Sequence, residues 1–594
     1  MVGTRGELSR GAPTSGSSSA SAAEHPVDTG ATVDQRAGLH TWLWVHLATL
    51  VVAIPVLAWI NRDQWFAADE WRLVTTNGLG SNPTRASIFA PHFEHWVTLG
   101  VLVYKALYGV FALRTYVPYV AVFIAVILAV AHLSWRLLLR IGVGPPFATA
   151  VAALTIVMAV GWENRSTAFQ MVVIAPVALG FGALLLMPER GRWQPRDLGV
   201  TALLLIGLAC SGVGVTLTAV VALAALLRRG WKVALSIVAG PAAVYAIWFV
   251  LEGRSGQRNE TALSTALRDL PQFVWRGLTE ALSDLTRIPH TGGLVLAVIV
   301  AWLVWSVWRD GPRVEPWPIV IATTLGAVAS IALTGLRRAG APPVSRYSDI
   351  VVLLALPALA LLTQHAGRWL IRRLGRPALV VFSMVTVAFL VVQVTALNDD
   401  VSNEAFVGEM RPRVLATAKI LRDHEPIASS NIFGVLYLDE PSTSTIARLD
   451  RNGELPGLDV STADVLTARE YVGAVIGDAS KYPEGVVRTV RIAGGSSGAA
   501  APGCLTVAPA TTGPRPVVLL ALPSAGSFRV ATDRAATASM TFVQDDARGR
   551  PRLIDTSPGD GTGVGVARAT NVELTLPPTT TTLCGLDGAE VRGR

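Results

Sequence analysis

Long apolar runs separated by short arginine-rich stretches fill the chain from about residue 40 to residue 397. A helix needs about 20 mostly apolar residues to cross a bilayer, and the runs from 41–60 to 378–396 supply about eleven such helices. The pattern therefore predicts a mainly α, polytopic membrane protein. Between these two runs, the predicted spans are 115–138, 146–162, 168–187, 197–210, 213–228, 231–251, 291–308, 317–336 and 347–366.

The run 197–228 is flanked by arginines at both ends, so the chain must return to the side that it left. As a single helix it would be about 48 Å long, against a hydrocarbon core of about 30 Å. The sequence CSGVG at its centre supplies Ser211 and Gly212, which permit a turn. We therefore predict two short helices joined by an outward-facing tip.

The stretch 96–113 decides the topology, because it can either span the bilayer or lie along the outer surface as an amphipathic helix. It has 18 residues and is interrupted by Lys105. If it lies flat, the five arginine-rich loops between later spans all fall inside; if it spans, all five fall outside. The positive-inside rule favours the flat helix. This predicts a multi-pass protein of the cell membrane with a cytoplasmic N-terminus and an extracytoplasmic C-terminal domain.

Composition divides the chain into four parts. Residues 1–38 are rich in Ser, Ala, Gly and Thr and predict a disordered cytoplasmic leader. The membrane domain covers 39–397, with its first outer loop at 61–114. Residues 398–485 predict a mixed α/β connecting region. Residues 486–594 contain short β-rich runs between Gly, Pro, Asp and Ser turns, which is the pattern of a β-sandwich.

The overall composition indicates a membrane protein and does not favour nucleic acid as a partner. The chain is 51% hydrophobic and 15% charged, whereas a soluble domain carries about 25% charged residues. The net charge of +8 does not indicate nucleic-acid binding, because the arginines cluster at helix ends, where they orient the helices in the bilayer. The tail holds Cys504 and Cys584, which we expect to form a disulfide if the tail faces outward.

The first outer loop carries two adjacent acids, Asp69 and Glu70. An ionised carboxylate close to a bilayer is costly unless it has a partner or a task. It can accept the proton of an attacking hydroxyl or hold the metal that does so. We predict a catalytic role for both residues; the alternative is that they are solvated loop charges.

Three further polar residues, His92, Glu94 and His95, stand at the end of the same loop. Three potential ligands within four residues can bind a sugar, a phosphate or a divalent cation, or can cap the membrane interface. If a helix begins near Pro91, the two histidines share one of its faces. We predict that these residues contact substrate.

Glu163 follows the third span in GWENRSTAFQ and emerges on the same side as Asp69. We predict a second catalytic carboxylate that faces the first across a cavity, with Arg165 beside it as a substrate contact. Interfacial anchoring is the alternative. If a divalent cation takes part, its predicted ligands are Asp69, Glu163 and His92.

The outer loop LRRAGAPPVSRYSD is basic, although the charge rule disfavours arginine on that side. The planar guanidinium group binds phosphate through paired hydrogen bonds. We therefore predict phosphate binding by Arg337, Arg338 and Arg346, with Tyr347 as a neighbouring contact. Pairing with Asp349 or with lipid head groups is the alternative.

These features together resemble the GT-C superfamily of integral-membrane glycosyltransferases. The matching elements are the acidic pair in AADEW, the flat helix in HFEHWVTLGVLVYKALYG, the acid after the third span, the short helices at CSGVG and the SRY element at 345–347. The β-rich tail is similar in layout to actinobacterial cell-wall arabinosyl- and mannosyltransferases. That resemblance implies that the tail can bind carbohydrate.

The resemblance implies transfer of a sugar from a polyprenyl-phosphate donor to a cell-envelope glycan, lipid or protein acceptor on the extracytoplasmic face. The acceptor hydroxyl would attack the anomeric carbon with inversion. Asp69 would act as base or orient the hydroxyl, and Arg346 would stabilise the departing phosphate. The alternatives are a transporter or flippase of a lipid-linked sugar and a non-catalytic assembly protein. A transporter should show inverted repeats, and the sequence contains only one broken helix pair.

Overall fold

The computed structural model describes residues 33–75, 79, 88–256, 262–338, 345–403, 405–430, 432, 441–477, 479–484, 487–511, 514–559, 561–586 and 588–593. Most of the predicted leader, residues 1–32, lies outside the described residues. Its last part, 33–38, already belongs to the first helix, so the leader prediction is wrong there. The chain forms a helical bundle followed by a β-rich domain, which is the predicted fold class.

The α-helices of the described residues are α1 Val33–Ile60, α2 Asp69–Thr75, α3 Thr98–Phe111, α4 Val117–Arg140, α5 Pro145–Val157, α6 Glu163–Ser166, α7 Met171–Leu186, α8 Arg196–Leu208, α9 Val213–Arg229, α10 Trp231–Leu251, α11 Leu263–Thr286, α12 Gly292–Asp310, α13 Trp317–Arg338, α14 Ser345–Leu374, α15 Arg376–Ser402, α16 Ala405–Arg422, α17 Thr443–Arg451 and α18 Thr462–Val472. Short 3-10 turns occupy Ala168–Gln170 and Gly253–Gly256.

Within the described ranges, eight helices are long and apolar enough to cross a membrane: α1, α4, α7 with the 3-10 turn before it, α10, α12, α13, α14 and α15. The other three predicted spans form α5, α8 and α9, with 13, 13 and 17 residues. At 1.5 Å per residue these helices are only about 20–26 Å long, less than a hydrocarbon core of about 30 Å. The predicted number of full-length spans is therefore too high.

The tip between α8 and α9 lies where the sequence predicts it. The two helices are separated by residues 209–212, and Gly214 packs directly on the carbonyl group of Gly207. A Cβ at Gly214 would overlap that oxygen, so a side chain there would push the helices apart. The absence of a side chain allows the chain to reverse within a few residues.

One end of the bundle gathers the loops that carry the predicted site residues. α1 and α5 end there, ahead of Asp69 and Glu163 respectively, while α13 ends at Arg338 and α14 begins at Ser345. The arginine-rich helix ends, such as those of α4, α9 and α12, lie at the opposite end because the intervening helices run antiparallel. We call the end with the predicted site residues the cavity end, because a cavity described below opens there. The end with the arginine-rich helix termini is called the basic end.

The predicted flat helix is α3, and it lies across the cavity end of the bundle. Its first turn is held by the α8–α9 tip, where the Leu99 N–H donates to the Ala209 carbonyl at 3.0 Å. With 14 residues, α3 is about 21 Å long, which is too short for a hydrocarbon core of about 30 Å. Helix α3 therefore connects two points at one end of the bundle.

Helix α11 occupies most of the stretch 252–290, which lies between the predicted spans 231–251 and 291–308. Phe273 packs against Gly335 and Gly277 packs against Ile331, both near the cavity end of α13. The Gln393 amide of α15 donates to the Leu285 carbonyl at 2.9 Å. The sequence of α11 contains many charges and an internal proline, so its composition resembles that of a loop. Its apolar residues nevertheless share one face of the helix, and that face is buried.

The connecting region after α15 joins the membrane domain, because α16, α17 and α18 share its buried core. Met410, Val414 and Leu449 belong to the same hydrophobic cluster as Tyr104 and other residues of the bundle. The β-sandwich has a separate core, built from alternating strand residues such as Val518 and Leu520.

The strands are β1 Ala474–Gly477, β2 Thr489–Ala493, β3 Gly495–Ala501, β4 Cys504–Pro509, β5 Val517–Leu522, β6 Gly526–Thr532, β7 Ala536–Gln544, β8 Ala547–Arg548, β9 Arg552–Thr556, β10 Thr562–Val566, β11 Thr570–Thr575, β12 Thr581–Cys584 and β13 Glu590–Gly593. One sheet has the order β1-β10-β6-β12-β4-β3. The other has the order β13-β2-β5-β11-β7-β8, with β9 also paired to β7. Strands β4 and β12 carry the predicted disulfide, in which Cys504 and Cys584 stand directly opposite each other.

A buried ion pair fixes the segment after α5 against the start of α14. Arg165 and Asp349, with side chains 2% and 0% exposed, meet at 2.9 Å, and the Asn164 amide donates to the other oxygen of Asp349 at 3.1 Å. Arg165 also donates to the Thr155 carbonyl at 2.9 Å. Gly161 lies so close to Asp349 that a Cβ there would overlap its side chain. Arg165 is therefore a structural residue, and its predicted substrate contact is wrong.

We predict that Asp349→Ala lowers the free energy of unfolding by about 3–5 kcal/mol, because it leaves Arg165 charged and unpaired in the interior. Asp269→Ala is the matched control: it removes an ion pair with Arg268 whose arginine side chain is 75% exposed, and surface pairs contribute about 1 kcal/mol or less. The measurement is thermal unfolding in detergent micelles. Equal small losses in the two variants would contradict the structural role of Arg165 and Asp349.

Candidate functional site

A cavity of about 380 Å³ opens at the end of the bundle where the predicted site residues gather. Its acidic and basic lining residues are Asp69, His92, Glu94, His95, Arg337, Arg338 and Arg346. Apolar side chains from the first turns of α7 and α9 and from α10 and α13 complete the wall: Val172, Val173, Val213, Phe249 and Leu333. The cavity therefore offers charge and apolar surface to one ligand.

Arg346 lies between two carboxylates. Its Nη1 is 3.9 Å from Oδ2 of Asp69, and its Nε is 3.6 Å from Oε2 of Glu163. Ser345 donates to the other oxygen of Glu163 at 3.0 Å. Three loops that are distant in sequence thus meet at one guanidinium group. Glu163 is not among the cavity-lining residues and reaches the cavity through its contact with Arg346.

Asp69 is held in its charged form by its neighbours. His92 approaches it closely, with Nε2 at 3.6 Å from Oδ1. Burial by itself would raise the pKa of Asp69, but the interaction with His92 and the positive charges of two nearby arginines outweigh burial and lower that pKa. The side chain is therefore an ionised acceptor that faces the cavity near neutral pH.

Glu70 points the other way, which does not fit its predicted catalytic role. One carboxylate oxygen accepts hydrogen bonds from the hydroxyls of Tyr104 and Tyr116, the latter at 2.9 Å, and the other accepts from the Ala67 N–H at 2.9 Å. Successive side chains on a helix point about 100° apart, so Asp69 and Glu70 cannot both face the cavity. Glu70 is buried and anchors α2.

The pKa of Glu70 is raised to about 7. Burial is the main cause and the charge of Asp69 adds to it, whereas the hydrogen bonds from the two tyrosines and the Ala67 N–H act in the opposite direction. A carboxyl group that titrates near neutral pH in the folded protein makes stability depend on pH in that range.

Residues 92–95 form a tight turn instead of the start of a helix. His92 and His95 exchange two backbone hydrogen bonds of 3.0 Å each, and Phe93 has a φ of 51°. Glycines on both sides leave room for this turn, because a Cβ at Gly256 would overlap the Phe93 carbonyl and one at Gly212 would lie 2.9 Å from Nδ1 of His95. The helix begins only at Thr98.

The turn brings Glu94 and the two histidines to the cavity wall. Glu94 lies 3.8 Å from Nε2 of His95. Burial lowers the pKa of His95, and the charges of His92, Arg338 and Arg346 lower it further. The negative charge of Glu94 raises this pKa but does not outweigh the other effects. Neutral imidazole can both donate and accept a hydrogen bond, which suits a polar ligand without charge.

The arginines from the end of α13 face the same cavity. The guanidinium groups of Arg338 and Arg346 lie 5.7 and 5.9 Å from the ring centre of Tyr347. Within the described part of the chain, neither Arg337 nor Arg338 has a carboxylate within ion-pair distance. Two positive charges therefore remain available at the cavity wall.

The predicted metal ligands do not fit a divalent cation. Across the described ranges, no group of three His, Cys, Asp or Glu side chains is arranged to hold a metal. Between Asp69 and Glu163 lies the guanidinium of Arg346, within 4 Å of both carboxylates. A positive side chain thus occupies the position where the two carboxylates converge, and no step is assigned to a metal.

Two uncharged polar residues of the cavity are not singled out by the sequence. Gln170 and Ser211 are buried and line the cavity, and Oε1 of Gln170 and Oγ of Ser211 have no hydrogen-bond partner among the described residues. Buried polar groups are normally paired. Gln170 is the last polar residue before the apolar run of α7, while Ser211 is predicted only as part of a turn.

Comparison with known proteins gives one distant likeness in fold. No protein-family model matches the chain, and no curated protein matches it. A crystal structure of the Archaeoglobus fulgidus oligosaccharyltransferase, tethered to an acceptor peptide with an NVT sequon, is similar at 14% identity and a TM-score of 0.37. The match covers 76% of this chain and 73% of that chain. At this level the likeness says nothing of the chemistry of the present chain.

The pKa of Glu70 generates a prediction for stability against pH. Below about pH 4.5 the carboxyl is protonated in both states; as pH rises to about 7, the unfolded chain releases the proton while the folded protein retains it. The contribution of the Glu70 carboxyl to the free energy of unfolding therefore falls by up to about 3 kcal/mol as the pH rises across that range. Glu70→Gln removes this pH dependence.

The measurement is the difference in Tm between wild type and Glu70→Gln in micelles from pH 5 to pH 8. We expect wild type to lose stability relative to the variant as pH rises, whatever constant offset the substitution adds. Asp63→Asn removes an exposed carboxylate from the same loop and controls for loss of one charge. A Tm difference that stays constant with pH would show that Glu70 is not the titrating group.

Proposed function

We propose that this protein is a membrane glycosyltransferase that moves a sugar from a polyprenyl-phosphate donor to a hydroxyl group of a cell-envelope glycan, lipid or protein. The observation that carries this proposal is Arg346 between Asp69 and Glu163 at a cavity with apolar walls. Arg346 can bind a phosphate group, and Asp69 lies beside it at the end of membrane-spanning helices. This arrangement suits a donor that consists of a lipid chain joined to a sugar phosphate.

The arginines and the apolar wall support a lipid-phosphate donor. Arg337, Arg338 and Arg346 place three guanidinium groups in the lining of this cavity. Val172, Val173 and Phe249 supply apolar surface in the same cavity. The phosphate would bind to the arginines, and the first isoprene units would lie against the apolar side chains.

The reaction is a single displacement at the anomeric carbon. The acceptor oxygen forms a bond to that carbon while the bond to the phosphate oxygen breaks, which inverts the centre. Asp69 accepts the hydrogen bond of the attacking hydroxyl and receives its proton as the bond forms. Polyprenyl phosphate leaves with one more negative charge, which Arg346 stabilises; a well-placed donor in such a site changes kcat by about 10²–10³.

The low pKa of Asp69 favours orientation of the acceptor as its main contribution. A weakly basic carboxylate takes the proton only late, when the acceptor oxygen has lost electron density to the new bond. Gln170 and Ser211 are suited to the hydroxyl groups of the transferred sugar, because both are uncharged, line the cavity and have an unpaired polar atom.

The extracytoplasmic face is favoured by the distribution of arginine. The helix ends opposite the cavity are rich in arginine, including those of α4, α9 and α14, and such ends stay in the cytoplasm. Helix α15 returns to the cavity end, so the β-sandwich lies on the same side as the cavity. The protein would then be a multi-pass membrane protein with its C-terminal domain outside.

The β-sandwich carries few aromatic residues, although the half-buried Tyr482 packs against Gly565 of β10. Phe528 and Phe542 are the two aromatic residues of 486–594, and both are fully buried in the sandwich core. Sugars often stack on exposed aromatic rings, which provide a flat apolar face beside polar groups. The proposal places recognition of the transferred sugar in the membrane cavity, and carbohydrate binding by the sandwich stays a prediction.

The test is sugar transfer by the purified protein in micelles, with radiolabelled polyprenyl-phosphate pentoses and hexoses and a panel of envelope acceptors. We expect Asp69→Asn to lower kcat by a hundredfold or more, since general bases contribute about 10²–10⁴, and to change KM for the donor less than about threefold. Asp63→Asn, an exposed acid of the same loop, should keep wild-type turnover.

Two outcomes would contradict the proposal at different levels. If wild type transfers no sugar from any donor, a flippase or an assembly protein becomes the better account. If wild type is active and Asp69→Asn is equally active, the carboxylate has no part in the reaction.

A further inference from the structure

Helix α3 is held at its two ends by different parts of the protein. The α8–α9 tip binds its first turn through the carbonyl of Ala209. At the other end, the Leu113 N–H donates to the Glu454 carbonyl at 3.0 Å, and the Arg114 guanidinium donates to the Gly453 carbonyl at 2.8 Å. The second anchor comes from the turn after α17, which belongs to the extension that follows the membrane helices.

A side-chain contact strengthens this second anchor. The Tyr108 hydroxyl donates to the Glu454 carboxylate, whose other oxygen accepts from the Asn452 amide at 3.0 Å. Hydrogen bonds to an ionised acceptor are about twice as strong as those between neutral groups. We call residues 452–454 the α17 turn.

Tyr104 lies one helical turn before Tyr108 on the same face of α3. Its hydroxyl donates to Glu70, the neighbour of Asp69 in α2. The same Glu70 oxygen accepts from Tyr116, whose hydroxyl also accepts from the Ala168 N–H at 2.8 Å. A shift of α3 would therefore either break the bond from Tyr104 or pull on Glu70 and α2, because Tyr104 is the one of the three donors to Glu70 that lies on α3.

The outer face of α3 is exposed, so the helix is connected to the rest of the described chain through its inner face and its two ends. Leu102 is 44% exposed and Val110 is 70% exposed. A helix of 14 residues has little stability of its own, since isolated helices shorter than about 12–15 residues are marginal. On the inner face, Gly100 packs on Val172 and the Tyr104 ring contacts Tyr119, while the α17 turn fixes the far end of the helix.

We propose that the α17 turn positions Asp69 for catalysis through α3, with Glu454 and Tyr108 as the positioning residues. The inference rests on the proposed transferase function, and it gives the region after the membrane helices a role in turnover. Neither residue touches substrate. Removing their contact should misplace the Asp69 carboxylate without emptying the donor site, because the arginines and apolar walls lie on other helices.

The test compares kcat and KM for the donor in wild type, Tyr108→Phe and Glu454→Ala. We expect kcat to fall about tenfold in both variants, with KM for the donor changed less than about threefold. Arg422→Ala is the matched control, because it removes an exposed ion pair with Asp450 in the same region without touching α3. Its kcat should equal that of wild type.

A double-mutant measurement separates positioning from general loss of structure. In an Asp69→Asn background, Tyr108→Phe should have no further effect on kcat, because the position of a carboxylate that is gone no longer matters. A merely structural role would lower kcat by the same factor in both backgrounds and would overturn the inference.

Hydrogen–deuterium exchange provides a readout that does not need activity. Tyr108→Phe should speed the exchange of amides at 67–75, while Arg422→Ala should not. Unchanged exchange there refutes the inference even if the protein proves inactive. A wild type inactive with every donor refutes the proposed function alone, and an active wild type with unchanged kcat in Tyr108→Phe and Glu454→Ala refutes only this inference.

Discussion

The site depends on one positive charge between two negative ones at the end of a helical bundle. Arg346 stands within 4 Å of both Asp69 and Glu163, and all three side chains are only partly exposed. In such a setting charges interact more strongly than in water. Without the arginine, the two neighbouring carboxylates would repel each other. With it, the loops after α1 and α5 are tied to the start of α14.

Behind this group, two buried arrangements hold the loops in place. Arg165 and Asp349 lock the segment after α5 to α14, in direct contact with the backbone that carries Arg346, because the Asn164 amide donates to the Arg346 carbonyl at 2.7 Å. Glu70 and its tyrosines do the same for α2. Asp69, Glu163 and Arg346 are thus each followed within three residues by a buried charged residue that serves structure: Glu70, Arg165 and Asp349. Adjacent charges in the sequence divide the two tasks.

That division explains what sequence reasoning could and could not reach. Hydropathy and the arginine bias determine which helix ends share a side, so the meeting of Asp69, Glu163 and Arg346 could be predicted before any coordinates. The direction of a side chain depends on the phase of a short helix, which the sequence does not display. The sequence therefore predicts Glu70 and Arg165 at the site, although both point into the protein core.

Other differences have similar physical causes. Helix α11 has the charge content of a loop but a buried face. Strand β3, with the sequence GSSGAAA, lacks the alternating apolar residues that signal a strand, and it pairs with β4 at the edge of a sheet. Gln170 and Ser211 carry no charge, and only their burial without partners marks them.

The most direct test of the central claim is a structure of the protein bound to a non-hydrolysable polyprenyl-phosphonate sugar. The account predicts phosphonate oxygens within hydrogen-bond distance of Arg346, isoprene units against the apolar wall and the anomeric carbon facing Asp69. A ligand bound away from Arg346, or a sugar turned away from Asp69, would contradict it.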